Sequence, residues 1–122
     1  MIAKRETCAL DGAGTSRAQI IAGLNDRFRA TLTGGRLVVT SGVVALGPDA
    51  LTTIVQQVRS FATFDADNDP YDEHDFGSLQ SEGTTIFWKI DYYDLSPKEG
   101  SPDPADSVVT TRVLTIMRSD EY

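Results

Sequence analysis

Apolar residues fall into two helical stripes and a set of strand-like runs. Ile20, Ile21, Leu24, Phe28 and Leu32 recur at three- and four-residue spacing, which predicts an amphipathic helix. Thr15 or Ser16 offers a hydroxyl to its first-turn amides, and Gly34-Gly35 offers a left-handed stop. Arg17, Asp26, Arg27 and Arg29 fall mostly off the stripe. Leu51, Ile54, Val55, Val58 and Phe61 form a second stripe, opened by Pro48 and Asp49 at positions that suit a helix start.

Between the helices, residues 36–41 are β-branched on both faces, which predicts a strand inside a sheet. Residues 42–47 read as a turn. After the second helix, residues 74–80 and 84–93 read as the arms of a hairpin with Gly83 in its turn. In the second arm Ile86, Trp88, Ile90 and Tyr92 point one way and Phe87, Lys89, Asp91 and Tyr93 the other. Prolines 97, 102 and 104 keep the next stretch irregular, and residues 108–118 make a last strand. The order α-β-α-β-β-β predicts an α+β two-layer sandwich, with two helices on one face of a mainly antiparallel four-stranded sheet. The other face would be partly open.

At 122 residues the chain is long enough for one core, expected over residues 15–122 behind a flexible tail at 1–14. Gly12 and Gly14 lack the preceding strand and following lysine of a phosphate-cradling loop. The N-terminus lacks the apolar run of a secretory signal, and Cys8, the single cysteine, suits a reducing compartment. A cytoplasmic protein is expected. Charge sharpens the picture. Residues 1–60 hold seven Lys/Arg against four Asp/Glu, or +3, and residues 61–122 hold four against fourteen, or -10. That half repels a phosphate backbone and attracts basic protein surfaces.

The acidic loop after the second helix invites a calcium reading. Asp65, Asp67 and Asp69 match the first, third and fifth positions of an EF-hand, but Pro70 replaces its glycine and Phe76 its bidentate glutamate. A looser cation cage from Asp65, Asp67, Asp69 and Asp72 competes with the plainer reading of side chains capping their own backbone. His74, the single histidine, could act as an acid or base oriented by Asp75 or Asp91, or simply be a bonded residue at a strand start. One histidine and one distant cysteine do not make the usual zinc site. No cofactor is expected. Lys89, Asp91 and Tyr93, with Arg112 placed to pair with Asp91 from the last strand, form either a solvated charge pair or a binding face.

Five runs carry a family resemblance: L-N-D-R-F-R (24–29), G-G-R-L-V-V-T-S-G-V (34–43), D-A-D-N-D-P-Y-D-E-H-D-F-G (65–77), F-W-K-I-D-Y-Y-D (87–94) and D-P-A-D-S-V-V-T-T-R-V-L-T-I-M (103–117). Together they resemble a bacterial family known as domain of unknown function 3768, over roughly residues 16–122. Its members are small single-domain proteins, often on mobile elements, and the resemblance brings no catalytic or binding residues. It implies a context in which inhibitors of host defence systems are common. The expectation is a non-catalytic acidic interaction protein, docking on a basic nucleic-acid-binding surface of a defence complex, anti-CRISPR or anti-restriction in type. Its docking residues would be Asp65, Asp67, Asp69, Asp72, Glu73, Asp75, Lys89, Asp91 and Tyr93. The alternative is a small metal-assisted hydrolase using the 65–75 loop and His74.

Overall fold

The computed structural model describes residues 16–122, so the tail, the Gly12-Gly14 run and Cys8 lie outside the described residues. Helix α1 (Arg17–Thr31) starts at Ser16, whose hydroxyl accepts from the Gln19 amide at 3.1 Å while Gln19 accepts from the Ser16 amide at 2.9 Å. This reciprocal cap satisfies two amides that a helix end leaves unpaired. The left-handed residue that ends the helix is Leu32, with φ of 56°, rather than a glycine. Gly35 already belongs to strand β1 (Gly35–Val39) and is needed there for another reason: a Cβ would strike Phe28 and the Arg112 backbone.

The predicted turn contains a single helical turn, α2 (Ser41–Val44), that puts Val43 fully into the core. Helix α3 (Pro48–Arg59) begins on Pro48 as expected and buries Ala50, Ile54 and Val58. Strands β2 (Phe76–Ser81) and β3 (Thr84–Tyr93) form the hairpin, and Glu82 and Gly83 both turn at positive φ. Paired positive φ values match the right-handed twist of the arms. Residues 107–109 form a 3₁₀ turn, so the last strand, β4 (Thr111–Arg118), starts later than the periodicity suggests.

The fold is α+β, with helices packed on a mixed, mostly antiparallel four-stranded open sheet. The order is β1-β4-β3-β2, with β1 parallel to β4 and the other pairs antiparallel. The expectation of β1 inside the sheet is therefore wrong. Among the described residues it pairs only with β4, and Leu37 and Val38 remain 40% and 44% exposed. β-branched residues on both faces fit a buried strand, but among the described residues no strand pairs with its other edge, so it lies at the rim.

Ile86, Trp88 and Ile90 meet Leu114 and Ile116 under Phe28, Val43, Ile54 and Val58 to form the core. Phe61 and Phe64 meet the Trp88 ring edge-on, at 5.4 and 6.2 Å. Trp88 needs Gly77 opposite it, because a Cβ there would enter the indole ring. Gly77→Ala should cost about 1–3 kcal/mol through overpacking. A lower urea midpoint at unchanged slope would show this; an unchanged midpoint would mean that Trp88 has room to shift.

Candidate functional site

The acidic loop is built from the inside. Asp65 accepts from the amides of Asp67 and Asn68 at 2.9 and 3.0 Å, and Asn68 accepts from the Asp65 amide at 3.0 Å. Asp69, only 2% exposed, accepts from the amides of Glu73 and His74 at 3.0 and 3.1 Å. These bonds hold Asp72 and His74 at positive φ, 59° and 55°. Side chains thus satisfy backbone that neither helix nor strand can serve.

The loop is clamped to α1 through His74. Its Nδ1 lies 3.0 Å from both oxygens of Asp26, its Nε2 lies 3.7 Å from Asp69, and its ring stacks on Phe64 at 4.0 Å. Asp26 also accepts from Arg29 Nη2 at 2.7 Å. Arg29 is 2% exposed and donates through Nη1 to the carbonyls of Val58 and Phe61 at 2.8 and 2.9 Å. Its guanidinium sits 4.7 Å over Trp88 and 5.4 Å over Phe64. One cation therefore joins α1, the end of α3 and the aromatic core. A depression of about 290 Å³ opens beside it, walled by Asp26, Arg29, Arg59, Phe61 and His74.

A second network runs alongside. Asn25, fully buried, donates to the Glu73 carbonyl at 2.9 Å and to the Tyr92 hydroxyl at 2.8 Å, and accepts from Arg112 Nε at 2.7 Å. Tyr92 donates to the Glu73 carboxylate at 2.9 Å. Burial first, and then the charges of Glu73 and Asp75, push the Tyr92 phenol up. It stays a hydrogen-bond donor at any ordinary pH.

Sequence reasoning missed Asn25, Asp26, Arg29 and Tyr92 in these roles. The signal was present in L-N-D-R-F-R, where Asn25 and Arg29 are one helical turn apart beside Phe28. Two pairings also need correction. His74 is oriented by Asp26 and approached by Asp69, not by Asp75 or Asp91. Arg112 does not reach Asp91: it pairs opposite Tyr92 on the helix-covered face, whereas Asp91 pairs opposite Val113 on the open face. A one-residue difference in register changes the face.

Lys89 and Asp91 do share the open face, with Nζ 3.0 Å from Oδ2, and Tyr93 lies beside them, half-buried. The Asp91 contact raises the Lys89 pKa, so the lysine stays charged. Asp65, Asp67 and Asp72 are exposed, Glu73 and Asp75 are half-buried, and Asp69 is enclosed. Burial and then Glu73, with Asp69 and Asp91 behind it, push the Asp75 carboxyl up. Among the described residues no three His, Cys, Asp or Glu side chains converge as a metal cage requires.

The molecule is thus a two-layer α+β domain with a side-chain-clamped acidic loop at one end of an open sheet. The family model "Protein of unknown function (DUF3768)" matches residues 39–121, more than half of the 122-residue chain, and the chain belongs to that family. No curated protein and no solved structure matches it. No described helix is long and apolar enough to cross a membrane.

Two outcomes test the clamp. Asp26→Ala strips the carboxylate from Arg29 and His74 together and should cost about 1–3 kcal/mol, with faster hydrogen exchange at the Glu73 and His74 amides. An unchanged urea midpoint would show that the clamp is idle. The raised Asp75 carboxyl makes the folded state hold its proton more tightly than the unfolded chain. Stability from this group is full below the ordinary carboxylate range and is lost as pH rises through the raised value. Asp75→Asn should therefore raise Tm at pH ~7, and the gain should vanish near pH ~3, where the acid is protonated in both states. A gain that persists at low pH would trace to packing instead.

Proposed function

We propose that this is a non-catalytic interaction protein whose acidic end docks on the basic, nucleic-acid-binding surface of a protein partner and blocks it. One observation carries the reading: the grouping of carboxylates at one end of the sheet. Asp65, Asp67 and Asp72 stand exposed on the loop, and Asp75 and Asp91 lie near enough for the second to hinder ionisation of the first. Charges held on a braced backbone cannot move apart, so a cationic surface relieves their repulsion. Such complementarity speeds encounter and selects the partner more than it adds affinity.

The internal capping of the loop reduces the ordering cost of docking. Asp69 and Glu73 shape the loop from within, while Lys89, Asp91 and Tyr93 extend the surface onto the open face of β3. The residue types at its edge include tyrosine, which is favoured at interface centres. A defence complex of the anti-CRISPR or anti-restriction target class fits this chemistry, since its nucleic-acid channel is basic, and would place the protein in the cytoplasm. The hydrolase alternative lacks comparable support, because Asp65 and Asp69 each commit Oδ1 to amides of their own loop.

Affinity capture from host lysate at rising salt tests the reading. Basic or nucleic-acid-linked proteins should be retained at low salt and lost as salt screens exposed charge. Asp67→Asn with Asp72→Asn should weaken capture while changing stability by only about 0.5 kcal/mol or less. Salt-independent capture, or equal capture by the double variant, would sink docking through this loop.

A further inference from the structure

A buried arginine on the opposite flank of α1 makes no direct ion pair among the described residues, and Glu73 acts on it only from behind Tyr92. Arg112 is 4% exposed, and its Nε donates to Asn25 and its Nη2 to the Pro104 carbonyl. Its guanidinium also lies 5.3 Å from the Tyr92 ring centroid. All of these partners are neutral. Among the described residues no carboxylate lies within ion-pair distance of Arg112 or of Arg27. A charge taken out of water without a partner is costly, and the ordinary remedy is an ion pair or a bound counter-ion.

The third nitrogen, Nη1, makes no hydrogen bond within the described residues. It is not among the fully enclosed orphan atoms, which are Arg29 Nε, Trp88 Nε1 and Arg118 Nε. Arg112 lines a depression of about 200 Å³ with Arg27, Phe28, Thr33, Gly34 and Ser107. Arg27 is exposed at the rim, and Ser107 Oγ has no partner among the described residues. The C-terminal carbonyls of α1 would oppose an anion, but three are already occupied. Leu32 donates to Phe28 O, Thr31 to Arg27 O, and Arg59 to Ala30 O.

We propose that this depression binds a small oxyanion, a phosphoryl or carboxylate group, held by Arg112 from the floor, Arg27 from the rim and the Ser107 hydroxyl from the side. Guanidinium groups suit such ligands because their planar N–H donors match paired oxygens. The site joins Arg27 of the positive N-terminal half to Arg112 and Ser107 of the acidic half, and stands independently of docking through the acidic loop.

The test uses thermal melts of the full chain at fixed ionic strength, titrating inorganic phosphate in one arm and acetate in the other against chloride. At least one arm should raise Tm along a saturable curve, as a ligand of the folded state does by mass action. Arg27→Glu should melt like the wild type in chloride yet bind about tenfold or more weakly, having lost one charge-assisted contact and gained repulsion. Side-chain guanidinium NMR signals of Arg112 should move with the same midpoint. A response to phosphate or to acetate alone supports the site and names the group. A flat response in both arms overturns the proposal. So does an equal rise in Arg27→Glu, because excluded-salt stabilisation acts without any site.

Discussion

The structure turns on one buried cation. Arg29 leaves α1 among residues that should be apolar, and everything around it answers that placement. Two backbone carbonyls at the end of α3 accept from it, Trp88 and Phe64 lie against its guanidinium, and Asp26 supplies the charge. An arginine buried this deeply needs partners, and both terminal nitrogens find them although Nε does not. Meeting them fixes where α1 lies on α3. It also places Asp26 so that its remaining capacity falls on His74. On this side the acidic loop is tied to the core through a carboxylate shared between a helix and a loop.

The same logic repeats beneath the other half of α1. Asn25, Tyr92, Glu73 and Arg112 exchange hydrogen bonds across the helix–sheet interface, where simple burial of leucine would have served packing alone. Polar networks of this kind demand one geometry, since each unpaired member is penalised in a low-dielectric interior. Both networks reach the loop from α1. This is why a stretch without regular secondary structure, dense in carboxylates that repel one another, keeps a defined shape and presents Asp65, Asp67 and Asp72 outward.

The open face of the sheet has a different character. Phe76, Phe87 and Tyr122 gather there, and Lys89, paired opposite Phe76, continues the face towards Asp91 and Tyr93. Helices cover the opposite face, where the core lies. The strand alternation in 84–93 assigned these residues to their faces correctly, because period two depends only on the strand being extended. It carried no information on what stands opposite, and the pairing of Arg112 with Tyr92 rather than Asp91 is a register effect.

The amino-acid pattern alone determined the element order, the fold class, the core stripe of α3 and the acidic loop, because each follows from local spacing and turn chemistry; of the α1 stripe Ile20 stays 42% exposed, and Asn25 and Arg29 are buried instead. Pro48, Ser16 and the alternation around Trp88 are signals of that kind. Tertiary structure decided what depends on contacts between distant residues. β1 lies at the rim although its composition suits an interior strand, because rim or interior is set by which strands pair and not by the strand itself. Arg29 and Asn25 are buried although they are polar, because their partners come from residues 58, 61, 73, 92 and 112. His74 answers to Asp26, 48 residues away, rather than to the acids on either side of it in the chain. Long-range hydrogen bonds leave no periodic trace, so only the folded chain could assign them.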